Sequence, residues 1–553
     1  MCGIAGIIVN EEREGLGVNL EYMLKRIIFR GPDQQGTTVI NNRVALGMSR
    51  LSIVDNELHD LPYFNEDASS ALIFNGEIYN HKEIRRNLNG NHRFKTASDT
   101  ETVLHAFEEN GVDCLQELNG MYAFAYYDKK IDRLYLVRDK AGEKPVYFCK
   151  YEGAFYFASE IKALLAHVKP ELNDNFIGYK SFEICFNNIT LFKNIFALQP
   201  GEYLVYENGD YKITDYWKIW DQVVDVPDDE NDIANELAEL IEDAVLLRTN
   251  NLAYPHACFV SGGVDSSIIA CISKPAYLYT AHYPFGKTFD ELEYAKMVAD
   301  QLKMPLNIVY PSAEDFERTR EKIAYHLDLP TTWTSFTIYR LVEEACKNVK
   351  VILSGEGADE AFGGYHRYHL LHNDQQIFNI KAMEEYTYLI NKYYGKPEVR
   401  YARLINRAED HFDDETISYL EKLVNYYFDK ALNDVVHGMG IVDFYTTMQV
   451  LLQMEDRMCM AFSVENRSPF LDHRIIRYAF SMSSKYKIHN GCTKYIFKKV
   501  AKKIIPKPIA ERIDKRGFST PVNVWFGWDQ DGKYDRSAYR KMAFNDWKNV
   551  FFH

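Results

Sequence analysis

The sequence predicts an α+β sandwich followed by an α/β domain with a parallel sheet, and three observations carry that expectation. Residues 1 to about 210 hold seven short β-branched or aromatic runs, separated by turn residues, with few helical patterns between them. From about 233 onward, strand-like and helix-like segments alternate, as they do when helices cover both faces of a parallel sheet. Between the halves lies the acidic stretch VVDVPDDEND, which reads as a linker over 211–232. The expected organisation is 1–210, linker 211–232, and 233–553.

The front runs are GIAGIIV, RVALGMSRLSIV, ALIFNGEIY, MYAFAYYD, RLYLVRD, PVYFCKY and AFYFASE, with helices expected at 19–29, 81–89, 100–110 and 160–167. Behind the linker, a helix is expected at 234–248. HACFVSGGVDSSIIACI then reads as strand, tight glycine turn and apolar helix. AYLYTAHYP, LNIVYP and KVILSG read as further strands, with helices at about 289–303, 314–327 and 335–347. In such a sheet, ligands bind at the carboxyl ends of the strands, where SGGVDSS and SGEGADE stand. Segment 375–440 is rich in Tyr, Lys and Glu and helical in pattern, an insertion in the second domain.

Size and charge exclude several classes. At 553 residues the chain is too long for one core. A net charge of -15 disfavours a nucleic-acid or membrane-surface role, which would call for a basic face, but leaves room for an anionic nucleotide in a local pocket. No apolar run approaches the ~18–20 residues that span a bilayer, and no secretory signal is visible. Nine cysteines, an odd number without a C-x-x-C pair, fit a reduced cytoplasmic protein without structural zinc.

Cys2 is the first chemical landmark. With Met1 removed, one residue carries both a thiol and a free α-amine. The amine can take the thiol proton, making a nucleophile suited to an amide carbonyl. Arg50 stands at a strand edge, where its guanidinium fork suits a carboxylate. Asn75 and Gly76 in NGEIYN offer a side-chain amide and a backbone N–H as oxyanion donors. Glu77 and Asp99 can hold an ammonium group. RGPDQQG reads as a turn forming one wall of this pocket. Together these meet the needs of a free amino acid.

MCGIAG, RGPDQQG, SRLSIVD, NGEIYNH and SDTE resemble, in that order, the class II glutamine amidotransferase domain. The resemblance implies an αββα N-terminal-nucleophile fold that hydrolyses glutamine to glutamate and ammonia. It makes Cys2 the nucleophile, Arg50 the carboxylate grip, Asn75 and Gly76 the oxyanion hole, and Glu77 with Asp99 the amino-group site.

In the second half, Ser261, Gly262, Gly263, Asp265 and Ser266 form a glycine turn opening a helix, the geometry of an anion site. SGGVDSS lacks the Gly-Lys-Ser/Thr ending of a Walker loop and resembles the pyrophosphate loop of the ATP pyrophosphatase group. Ser354 and Gly355 begin a second motif at a strand end. Acids beside a triphosphate need a cation between them, so Asp265 and Asp359 are Mg²⁺ candidates. Glu356 is a candidate base or substrate-orienting group.

SGEGADEAFGGY, SVENRSPFLDHRI, GCTKYI and KRGFSTP are similar to the synthetase domain of the asparagine synthetases. That resemblance implies that ATP adenylates the aspartate side chain, and that ammonia crosses an internal tunnel to displace AMP. It places Lys494 against the phosphates and implies a homodimer as partner. Where the family reads close to TTIRAST, this chain has PTTWTSFT. Thr331 and Thr332 remain as acceptor-binding candidates, and Thr334 replaces the arginine. The insertion resembles a longer bacterial branch whose members also amidate other carboxylates, including uronic sugars. The acceptor is therefore aspartate or another carboxylate.

Overall fold

The structure is a computed structural model that describes residues 1–552 apart from 55–57, 90–91, 174–178, 180–187, 251, 287–288, 333, 373–395, 406–413, 432–433, 514–519, 531–532 and 535. Much of the expected 375–440 insertion and most of KRGFSTP therefore lie outside the described residues.

Two six-stranded sheets form the front. One has the order β10-β8-β9-β1-β3-β2, with β1 Cys2–Val9, β2 Gln34–Ile40, β3 Val44–Arg50, β8 Tyr147–Tyr151, β9 Ala154–Ala158 and β10 Phe196–Ala197. The other has the order β12-β11-β7-β6-β5-β4, with β4 Tyr63–Phe64, β5 Ser70–Ile78, β6 Gly120–Asp128, β7 Arg133–Arg138, β11 Glu202–Glu207 and β12 Asp210–Asp215. β1 is buried along its whole length, which explains its unbroken apolar run. Its period of two divides it between cores. Cys2, Ile4 and Ile8 enter the core between the sheets, while Ala5, Ile7 and Val9 meet the helix Leu16–Lys25. On β5, Ala71 and Ile73 face the same inter-sheet core, and Leu72, Phe74 and Ile78 face the helix Asp99–Asn110. The layers are thus helix, sheet, sheet, helix, the expected αββα sandwich. It places Cys2 at the end of the central core.

The back sheet has the order β15-β14-β13-β16-β17, all parallel: β13 His256–Phe259, β14 Tyr277–Ala281, β15 Leu306–Val309, β16 Val351–Leu353 and β17 Glu465–Arg467. The chain runs outward from β13 to β15 and then returns to the other side at β16. The order reverses between β13 and β16, so a crevice opens at their carboxyl ends, above SGGVDSS and SGEGADE. Helices Glu230–Thr249 and Val264–Ser273 cover one face, and Ala313–Leu327, Ser335–Ala345 and Thr447–Met460 the other.

Two elements differ from the sequence reading. QQG, read with RGPD as a turn, instead begins edge strand β2, QQGTTVI; its alternating exposure and lone neighbour β3 let polar side chains occupy a strand. ENR, three polar residues with no strand signature, becomes β17 because Glu465, Asn466 and Arg467 all find buried partners. Within the insertion, helices Pro397–Ile405 and Val435–Tyr445 share an apolar cluster, and buried Asp443 accepts from Tyr368 and Tyr401 Oη at 2.5 Å each.

The segment Val435–Met460 is long and apolar enough to cross a membrane by length and composition alone. Its most apolar window is 67% buried inside the protein, and Asp456 and Arg457 near its end are paired across the domain boundary. Asp456 receives Arg30 Nη1 at 2.8 Å and Nη2 at 3.0 Å, while Arg30 Nη1 also reaches Glu160 at 2.6 Å. Arg457 in turn lies 2.7 Å from Glu160. These groups are essentially out of solvent, so removing one cation strands the carboxylates. Arg30→Met should destabilise the protein by about 3–5 kcal/mol, seen as an earlier first transition in thermal unfolding. An unmoved transition would refute this role for the network.

Candidate active sites

Cys2 lies opposite Arg50 in the β1–β3 register, which brings thiol and guanidinium to the same strand ends. The Cys2 backbone N–H donates to Asn75 Oδ1 at 2.9 Å, and its carbonyl accepts from Arg30 Nε at 3.1 Å. Asn75 is fully buried, and its Nδ2 has no hydrogen-bond partner among the described residues. A buried amide donor left open beside a thiol is costly unless a ligand oxygen uses it. Gly76 follows. A Cβ there would collide with the Met121 carbonyl, so β6 can approach only a glycine.

Glu77 and Asp99 come next. Asp99 begins its helix behind the N-cap Ser98, with Oδ1 accepting from Thr100 N at 2.8 Å and Oδ2 from Ile78 N at 2.9 Å. Burial, followed by the neighbouring Asp99, pushes the Glu77 carboxyl up to about 8, against the pull of Arg467, 3.4 Å away. Burial likewise raises the Cys2 thiol, while the Met1 amine and Arg50 act downward. The Met1 α-amine is 2.8 Å from Glu465 Oε2. Burial alone would raise Glu465, but the Met1 amine and Arg467 hold it at about 2.

The second site is a cavity of about 320 Å³ at the carboxyl ends of β13 and β16. Ser261, Gly263, Asp265, Ser266, Ser354, Gly355, Glu356, Asp359 and Lys494 all line it. Gly262 sits in the turn behind the lining, at φ +69°. Lys494 Nζ bridges Asp265 Oδ1 at 2.7 Å and Asp359 Oδ1 at 2.6 Å. A Cβ at Gly364 would strike both Asp359 and Lys494, so the GGY glycine gives this cluster its space.

Thr331 and Thr332 do not line the cavity. Thr331 is buried against Tyr539 Oη at 3.2 Å, and Thr332 Oγ1 meets Met454 Sδ at 3.3 Å. Thr334 does line it, with Oγ1 2.9 Å from the same sulfur. Of the three threonines, Thr334 alone lines the cavity, beside Met454, which lines it too.

The two sites share a wall that sequence reading did not anticipate. On β17, Glu465 and Arg467 face Met1 and Glu77, whereas Asn466, one residue out of phase, faces Glu455 at the cavity. On the helix Thr447–Met460, Asp456 holds Arg30 at the Cys2 carbonyl, while its neighbour Glu455 lines the cavity. The signal was the charged triplet Glu455-Asp456-Arg457 inside an otherwise apolar helix.

A sandwich with a thiol at the head of its first strand, joined to a parallel-sheet domain with a phosphate-loop cavity, is the build of a two-domain glutamine-dependent ligase. The comparisons agree. The glutamine amidotransferase domain matches residues 1–217, and asparagine synthase matches residues 236–541. The chain is 31% identical to asparagine synthetase (glutamine-hydrolyzing) 1 of Bacillus subtilis (strain 168), over 95% of this chain and 88% of that protein. It is 29% identical to synthetase 2 of the same strain, over 86% of this chain and 66% of that protein. For synthetase 3 the identity is 28%, over 93% and 86%. The chain belongs to the asparagine synthase family of glutamine-dependent amidotransferases.

Proposed function

We propose that this chain makes asparagine from aspartate, glutamine and ATP, releasing glutamate, AMP and pyrophosphate. The observation that carries the reading is the shared wall, since β17 touches Glu77 on one side and the phosphate cavity on the other. With Met1 removed, the new α-amine falls on the nitrogen that donates to Asn75 Oδ1. That amine takes the thiol proton as Cys2 Sγ attacks the glutamine amide. Asn75 Nδ2 and the Gly76 N–H receive the oxyanion, and the proton leaves on ammonia. Water then hydrolyses the thioester. Arg50 holds the glutamine carboxylate, and Glu77 with Asp99 its ammonium.

In the cavity, the aspartate side chain attacks the α-phosphate of ATP, and pyrophosphate leaves into the Ser261–Ser266 turn. Lys494 faces the developing charge. Asp265 and Asp359 converge on one ammonium, so their oxygens fit Mg²⁺, which when bound would neutralise phosphate charge. Ammonia displaces AMP within a closed path, because in water it would be protonated and the acyl adenylate hydrolysed.

Product analysis with aspartate, glutamine and ATP tests the reading, and asparagine, AMP and pyrophosphate should appear together. ATP turnover indifferent to aspartate would overturn it. A second reading rests on Thr334, which gives the cavity wall a hydroxyl where the family's arginine would stand. Under that reading another small carboxylate, such as a uronic sugar acid, supports pyrophosphate release and aspartate does not.

Glu77 supplies a pH prediction. Its carboxyl, raised to about 8, must ionise to pair with the glutamine ammonium, so KM for glutamine should fall as pH rises toward that value. Glu77→Gln should flatten the dependence and weaken binding throughout. A wild-type KM that stays level across this range would count against the assignment.

A further inference from the structure

Outside both sites, four side chains with metal-ligand chemistry meet in the front domain. His105 and Glu108 stand one turn apart on the helix Asp99–Asn110, so they share a face. Glu66 comes from the turn between β4 and β5, and His92 from the segment that leads into the helix. One donor atom from each lies within 4.8 Å of all the others. Glu108 Oε2 is 3.2 Å from His105 Nδ1 and 3.7 Å from His92 Nδ1. Two donors held at ~2.0 Å by a tetrahedral zinc ion are about 3.3 Å apart, so these spacings are nearly those of a bound ion. The two imidazole rings lie 4.4 Å apart, tilted by 34°.

We propose that Glu66, His92, His105 and Glu108 bind one divalent transition-metal ion of the zinc type. Two imidazoles and two carboxylates suit such an ion, and four protein donors leave no open position, as in a structural site. The ion clips the β4–β5 turn and the His92 segment to the helix whose first residue is Asp99. The expectation of no structural zinc rested on cysteine spacing. These donors are histidines and glutamates from three elements, a set that spacing does not reveal.

The neighbouring groups orient the four donors. His92 Nε2 faces Glu109 Oε2 at 3.2 Å, so the ring N–H goes to a carboxylate and Nδ1 is left with a lone pair. That lone pair looks toward Glu108 Oε2, and only a proton or a metal ion between them relieves the repulsion. Glu109 is itself held by the Asn89 N–H at 3.1 Å. Glu108 Oε1 accepts from Asn65 Nδ2 at 2.7 Å, while Oε2 is turned to the histidines. Asn65 is fixed in turn by the Ser70 N–H at 3.0 Å. Glu66 Oε1 accepts from the Arg93 N–H, and its second oxygen remains for the ion. Phe94 packs edge-on against His105 at 4.8 Å. His105 is 1% exposed whereas Glu66 is exposed, so the site has a buried anchor and an approach from solvent.

The test uses the full-length protein, stripped with a chelator and dialysed against Zn²⁺, with bound zinc counted by mass spectrometry and thermal unfolding recorded with and without the ion. Cys2 and Asp359 offer donors of their own, so the double variant Cys2→Ala/Asp359→Asn is the reference, and it should keep one zinc per chain. In that background His92→Gln should weaken zinc binding by at least about 10²-fold, beyond what loss of an outer partner costs. It should also lose the zinc-dependent rise in Tm. Its metal-free melting transition reports that the chain has folded. Glu66→Gln, at an exposed position, should weaken binding in the same direction. A reference protein that binds no zinc, or equal zinc affinity in the reference and both variants, would overturn the proposal. The four groups would then be a cluster of protonated histidines and glutamates only.

Discussion

Cys2→Ala is expected to abolish glutamine-dependent amide formation, by on the order of 10⁵-fold, the scale for losing an enzyme's nucleophile, while turnover with ammonium chloride persists. The side chain contributes little else. Cys2 keeps its strand pairing through the backbone, and Asn75 Oδ1 and Arg30 hold its N–H and carbonyl rather than its sulfur. Alanine therefore removes the attacking atom without disturbing the strand or the shared wall. Glutamate release and amide formation with each donor check this. Glutamine turnover that survives would reject Cys2 as nucleophile. Loss of ammonium-dependent turnover would instead show that the thiol also supports the second site.

Lys494→Met is expected to reduce acceptor-dependent pyrophosphate exchange about 10²–10³-fold and to leave glutamine hydrolysis in place. Lys494 Nζ is shared by Asp265 and Asp359, so methionine, of similar length but uncharged, removes the positive centre of the phosphate cavity. Lys494→Arg should not restore the rate. The backbone of Gly364 leaves no room beside the lysine stem, and a planar fork cannot occupy the space of one ammonium. Glutamine hydrolysis by the same preparation reports that the protein has folded. Exchange at the wild-type rate in Lys494→Met would remove this lysine from the phosphate step.

Much of this was legible in the chain because the signals were local. The alternation of β1, the glycine turns after β13 and β16, and the acids that follow them are short-range patterns, each set by a strand or turn requirement a few residues long. The polar edge strand β2 and the three-residue β17 were not legible, since neither carries apolar periodicity and both are held by partners far along the chain. Which of Thr331, Thr332 and Thr334 lines the cavity was not legible either, since it depends on partners far along the chain, Tyr539 for Thr331 and Met454 for Thr332 and Thr334.

By itself the sequence determined the αββα sandwich, the parallel sheet, and the residues that gather around Cys2 and around Asp265, Asp359 and Lys494. Only the tertiary structure decided that the two sites share a wall. Arg30 meets Asp456, and Glu465 meets the Met1 amine. Buried charges have few alternatives to one another once water is excluded, so these pairs fix how the domains meet. A chain read in order cannot show that, because each partner alone resembles an ordinary surface charge.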